Sequence, residues 1–144
     1  MNDKSGFTLL EVLLAISVVA ILSGLSIPVF RIMLTKNDLD IATTTVAQTL
    51  RRAQLLSQAV DGDTSWGLQV QSGSIVLFKG TSFISRDSNF DETFDMATTI
   101  GVSGTTEYVF SKFTGLPQAT GTINLSTEND SRSVSINEKG TIGF

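Results

Sequence analysis

From Phe7 to Phe30 the chain reads FTLLEVLLAISVVAILSGLSIPVF, and its one ionisable side chain there is Glu11. About 20 apolar residues suffice to span a bilayer as a helix, and Val12 to Phe30 has that length. The polar residues inside it, Ser17, Ser23, Gly24 and Ser26, are mild. A secretory signal would be shorter, with a small-residue cleavage pattern after it; this run is longer and no such pattern follows. An ordinary anchor would carry more positive charge on its cytoplasmic side. Here Lys4 is offset by Asp3, while Arg31 and Lys36 lie beyond the run. A lone ionised carboxylate in hydrocarbon costs about 2.5–3.5 kcal/mol at mid-membrane. Glu11 therefore needs a partner, a proton, or a place near the membrane surface, and the residues alone leave these open. Pro28 removes an amide donor and clashes with the carbonyl of Gly24, at a cost of about 3 kcal/mol in a helix. A kink or a short melted stretch is expected between Gly24 and Pro28, and an ordinary membrane kink fits equally well.

The segment KSGFTLLEVLLAISVVAILSGLSIPVF resembles the class III leader of the type IV pilin and type II secretion pseudopilin superfamily. The residues that carry the resemblance are Gly6, Phe7, the Thr-Leu-Leu step, Glu11 and Pro28; Ala20 stands where many major pilins have glycine. The resemblance implies that a prepilin peptidase cuts between Gly6 and Phe7 and methylates the new amine of Phe7. It also implies that Glu11, fifth in the mature chain, pairs with the amine of an adjacent subunit and sets the register of assembly. Helix is expected to be lost near Gly24 and Pro28 as the filament forms.

Past Phe30, Leu39, Ala42, Val46, Leu50, Ala53, Leu56 and Val60 recur at spacings of three and four, one face of a helix. Polar residues fill the other faces, and no Gly or Pro intervenes until Gly62. One helix from Phe7 to about Ala59 is expected. It is apolar all round in its first half and amphipathic in its second, where it packs on a sheet or, alternatively, on a coiled-coil partner. After Gly62 the pattern turns to strands. TSWGLQV and SIVLFKG form a hairpin about QSG, EYVFSKF is a strand ended by Gly115 and Pro117, and GTINLS and RSVSINEKGTIGF supply two or three more. Residues 85–95 read as an acidic loop. The order of Trp66, Phe78-Lys79-Gly80, Val109-Phe110 through Gly115-Leu116-Pro117, and Ile136-Asn137-Glu138-Lys139-Gly140 resembles the GspH/FimT type of pseudopilin and minor pilin. That resemblance implies a long helix packed against two antiparallel sheets.

The chain has no Cys and no His. Disulfides, nucleophile–His pairs and His or Cys zinc sites are excluded. Asp61-Gly62-Asp63-Thr64 lacks the further ligands of a calcium loop and reads as a capped turn. Asp87, Asp91, Glu92 and Asp95 read as solvated acids, so no metal or cofactor is expected. No G-x-S-x-G occurs, and an enzyme is not expected. The net charge of −4, with Lys79, Arg86, Lys112, Arg132 and Lys139 scattered among acids, speaks against nucleic acid as a partner. A DNA-capturing minor pilin of an uptake filament is the alternative.

The expectation is thus an α+β, pilin-like chain. Residues 1–6 are a leader, 7–30 a transmembrane and assembly helix, 31–60 its amphipathic continuation, and 61–144 a β-rich GspH-like domain. It would sit in the inner membrane as a single pass with its C-terminal domain outside the cytoplasm. From there it would enter a periplasmic or extracellular filament, as a subunit of a type IV pilus or a type II secretion pseudopilus. The partners implied are prepilin peptidase, other pilin or pseudopilin subunits, the inner-membrane assembly platform, and lipid before assembly.

Overall fold

The computed structural model describes residues 6–144, apart from the side chains of residues 25–32; residues 1–5 of the expected leader lie outside the described residues. The chain divides into two units, the first ending at Thr35 and the second running from Lys36 to Phe144. Helix α1, Leu9–Gln58, begins in the first and ends in the second. Its bounds lie close to those expected, and it is assigned without a break across Gly24 and Pro28.

In the second unit, α1 buries Leu39, Ala42, Val46, Leu50 and Ala53, as the spacing requires. Thr43, Ala47, Thr49 and Ser57 are buried beside them, so the contact face is wider than one stripe. Thr43 satisfies its hydroxyl on the carbonyl of Leu39 at 2.7 Å. Leu56 and Val60 are only half-buried, because the end of the helix is held by polar bonds instead. The backbone N–H of Trp66 donates to Ser57 Oγ at 2.9 Å, and that of Phe113 donates to the Ser57 carbonyl at 3.1 Å. A buried hydroxyl is tolerated when it is bonded in this way.

Eight strands follow. In the first sheet β3 (Asp87–Asp95), β2 (Ser74–Lys79), β1 (Trp66–Gln71) and β5 (Glu107–Phe110) lie in that order. In the second the order is β4 (Gly101–Gly104), β6 (Gly121–Ser126), β7 (Ser131–Ile136) and β8 (Ile142–Gly143). All the pairings are antiparallel. The β1–β2 hairpin closes on Gln71↔Ser74, as expected. One apolar cluster joins Leu39, Val46 and Leu50 of the helix to Leu68, Leu77 and Phe110 of the first sheet and to Ile123 and Val134 of the second. The helix stripe is thus spent on the chain's own sheets. On the opposite face of the first sheet, Phe78 is fully buried and meets the edge of Phe83 at 5.6 Å. The loop carrying Phe83 is braced there by its N–H donating to Glu107 Oε1 at 2.8 Å. The Arg86 guanidinium lies 3.8 Å from its ring centroid.

Two expectations need correction. Residues 85–95 are not a loop: Asp87–Asp95 is edge strand β3, with Phe94 opposite Ile75 and an irregularity in register between Leu77 and Lys79. Acidic side chains on an edge discourage pairing with other chains, so the composition that reads as solvated loop also suits an exposed edge. The strand EYVFSKF stops at Phe110, because Ser111 to Leu116 turns back on itself, with the Ser111 N–H donating to the Leu116 carbonyl at 2.8 Å.

Two turns seat against the end of α1. Gly115 (φ 62°) and Gly140 (φ 75°) lie in the left-handed region, where an L side chain is strained by about 1–2 kcal/mol. A Cβ on Gly115 would lie 2.4 Å from Gln58 Cγ, and one on Gly140 would lie 2.4 Å from Gln54 Nε2. Gln54 Nε2 donates to the Gly115 carbonyl at 3.1 Å, so both turns share one glutamine. Gly140→Ala is expected to lower the unfolding free energy by about 1–2 kcal/mol. Denaturant titration followed by the fluorescence of Trp66 measures this, and an unchanged midpoint would show that the turn is not so held.

Candidate functional site

In the first unit the apolar side chains face outward on every side. Leu9, Leu10, Val12, Leu13, Leu14, Ile16, Val18, Val19, Ile21 and Leu22 are all exposed, and at 3.6 residues per turn these positions leave no polar face. Such a helix calls for an apolar environment. Phe7 precedes the helix and is 82% exposed. Thr8 caps it: its carbonyl accepts the Val12 N–H at 3.2 Å, and its hydroxyl accepts the Glu11 N–H at 3.3 Å. Glu11 therefore sits in the first turn, where the positive end of the helix dipole favours a carboxylate. Ser17 and Ser23 return their hydroxyls to carbonyls of their own helix, on Leu13 and Leu14 at 2.9 Å and on Val19 at 2.8 Å. Glu11 differs: among the described residues its exposed carboxylate has no hydrogen-bond or ion-pair partner. Gly24 lies within α1, and so does Pro28, whose side chain falls outside the described residues. A Cβ on Gly6 or on Gly24 would meet nothing within 4 Å, so the chain's own packing demands glycine at neither place. Thr8 escaped the reading of the sequence, although Thr-x-x-Glu before an apolar run is a capping signal. No helix among the described residues is long and apolar enough to cross a membrane. The described apolar part of α1 ends at Gly24, where the side chains outside the description begin.

Residues 1–27 match the family described as the prokaryotic N-terminal methylation motif. Two similar relatives, both fimbrial proteins of Pseudomonas aeruginosa, are each 26% identical over 111 residues, covering 72% of this chain and 72% of their own. The amino terminus is that of a type IV pilin superfamily member. No solved structure matches the chain. A pilin is a structural subunit rather than an enzyme, and its membership implies processing by prepilin peptidase and assembly with other pilin subunits.

The second unit pairs several of its charges internally. Asp91 pairs with Arg86 at 2.7 Å and Glu92 with Arg52 at 2.5 Å. Asp61 and Asp63 flank a 3-10 turn, and Asp63 pairs with Lys112. No group of three acids could hold a metal among the described residues. Because Arg86, Lys112 and Arg132 are each matched to a carboxylate, they do not form an uncompensated basic stripe. Two shallow clefts, of about 510 Å³ beside Ser135 and Glu138 and about 450 Å³ beside Asp40 and Arg132, each hold one carboxylate. Neither supplies the pair that glycoside hydrolysis needs.

Arg132 links the helix to β7, contacting Asp40 at 3.0 Å and Asp130 at 2.8 Å. Its hydrogen bond to Asp130, with help from the Ser131 N–H, holds that carboxyl below the usual carboxylate range. A carboxyl depressed in the folded state contributes stability above its unfolded pKa and loses it as pH falls through the folded value. The stability difference between wild type and Asp130→Asn is therefore expected to be present at pH 7 and to vanish as acid protonates the folded carboxyl, below the usual carboxylate range. Thermal unfolding across a pH series reads this; a gap that persists in acid would place the effect elsewhere.

Proposed function

We propose that this pilin is a minor, GspH/FimT-like subunit of a type IV pilus or a type II secretion pseudopilus. Residues 7–30 hold it in the inner membrane as a single pass, with the remainder outside the cytoplasm. This reading takes the apolar sequence from Val12 to Phe30 as one span and includes residues 25–32, whose side chains lie outside the described residues. Prepilin peptidase removes residues 1–6, exposing and methylating the amine of Phe7. The assembly platform then draws the subunit from lipid into a filament whose core is built of helices like the first half of α1.

One observation carries the reading. In the described part of the run the serine hydroxyls are satisfied within the helix, and the Glu11 carboxylate is not. Its exposed position in the first turn suits it to meet the cation that proteolysis creates at Phe7 of a neighbour. Apolar contact supplies most of the association, and the ion pair selects one axial register, since any other leaves two unpaired charges in a dry core. Gly24 and Pro28 mark the weak point at which helix is lost during assembly. The deciding experiment is a filament structure. It should place the carboxyl of Glu11 beside the Phe7 amine of an adjacent subunit and break the helix between residues 24 and 28; a Glu11 facing water, or an unbroken helix there, would sink the corresponding claim.

Gly6→Leu is expected to leave the fold unchanged, since the space around Gly6 is open, and to leave the precursor uncut because the peptidase must admit that residue. Mass spectrometry should find the full chain, and a mature mass would refute the assigned cut. Glu11→Ala is expected to be processed normally yet to reduce sheared filament several-fold. Wild-type yield would remove its role in register.

A further inference from the structure

We infer that the second sheet is continued from one subunit to the next: edge strand β4 of one copy adds antiparallel to β8 of a second copy, with Val102 opposite Phe144 and Gly104 opposite Ile142. The inference rests on the filament reading above and names where the second units of adjacent copies touch.

Strands β4 and β8 are the two ends of that sheet. In antiparallel pairing, alternate residues turn their N–H and C=O toward opposite neighbours. The Thr105 N–H donates to the Thr122 carbonyl at 3.1 Å, so Ser103 and Gly101 bond toward β6, and Val102 and Gly104 turn their backbone groups outward. At the other end the Asn137 N–H donates to the Thr141 carbonyl at 3.2 Å, so Gly143 bonds toward β7, and Ile142, with Phe144 in step after it, turns outward. Both edges thus offer free backbone groups at every second residue. Three antiparallel steps separate the strands, so β4 runs against β8, and copies held in one orientation bring them together antiparallel. The faces agree as well. Val102 and Ile142 pack inward against the core, while Ser103 and Gly143 are exposed on the outer face. Val102 would cover Phe144, which is 68% exposed, and Gly104 puts no side chain against Ile142. Charge points the same way: edge strand β3 is guarded by Asp87, Asp91, Glu92 and Asp95, whereas β4 and β8 carry no charged residue. Because the two edges are different surfaces, the contact is heterologous and can repeat without closing, as a filament needs. With four residues in β4 and two in β8, the ladder is too short to join free subunits. It acts where packed helices raise the local concentration to about the millimolar range.

The chain has no cysteine, so Ser103→Cys with Gly143→Cys in the full-length chain supplies its only thiols. Within one copy they lie three strand spacings of about 4.8 Å apart, beyond disulfide reach. Between copies they form a non-hydrogen-bonded pair at about 4.5 Å between Cα atoms, within that reach. Oxidised, sheared filaments of this variant should run as a ladder of dimers and larger species without reductant. Val102→Cys with Gly143→Cys, whose side chains leave opposite faces, should cross-link several-fold less. Adding Val102→Pro to the first pair removes the outward N–H and spares the β4–β6 ladder; it should abolish the cross-link, whereas Val102→Ala should keep it. Should Gly143→Cys fail to fold, Val102→Cys with Phe144→Cys reads the same register. Filaments without the ladder, in which another pilin or water covers these edges, would overturn the inference and leave the filament reading intact. Equal cross-linking of the opposite-face pair, or a ladder indifferent to Val102→Pro, would do the same. A wild-type chain that enters no filament would overturn both.

Discussion

The apolar side chains at the start of α1 find no cover among the described residues of their own unit, and everything else in this pilin answers to that. From Leu9 to Leu22 they are exposed in every direction, so no rotation of the helix about its axis could hide them against a single flat surface. Burial of such area is worth about 25 cal/mol per Å², and the described residues of that unit supply no second element to collect it. Lipid can, and so can a bundle of like helices. The two environments are close in energy for apolar side chains, since neither is wet. A helix suited to one is therefore suited to the other, and transfer between them need not be driven by the apolar surface itself.

Polar groups decide the outcome instead. Ser17 and Ser23 are indifferent to the choice, because their hydroxyls are already bonded to their own helix. Glu11 is not indifferent. In lipid a carboxylate is penalised, whereas beside a cation in a helix bundle the penalty is offset by attraction that grows as water is excluded. On the cut and pairing proposed above, that contrast separates two otherwise similar states once the cation is free.

Much of this was legible in the sequence, for identifiable reasons. The stripe from Leu39 to Ala53 reads correctly because helical periodicity and burial coincide there. The β1–β2 hairpin reads correctly because Gly73 supplies the turn between two apolar runs. Strand β3 does not: Asp87, Asp91, Glu92 and Asp95 hide an edge whose pairing is settled by β2, with Phe94 as its inward contact. Strand β4, Gly-Val-Ser-Gly, carries one apolar residue and owes its existence to pairing with β6. Tertiary context makes both, and no local propensity announces them. In residues 1–27 the methylation motif was legible as residue types at set spacings. The cap at Thr8 was not, because the Thr-Leu-Leu step also belongs to that motif.

The two halves of α1 also divide the burden of folding and assembly. Gln54 and Ser57 fasten the second half to the turns of Gly115 and Phe113, and the stripe from Leu39 to Ala53 is spent in the unit's own core. In the first half the described apolar side chains, from Leu9 to Leu22, are exposed instead. A substitution in the second half acts first on whether the unit folds; one in the first acts on what the folded chain can join. A protein that must wait in one environment and polymerise in another gains from this division, because the forces that hold the subunit together are not those exchanged when it moves. In the assembly proposed above, the exchange between lipid and neighbours is confined to that helix surface and to the Glu11 carboxylate.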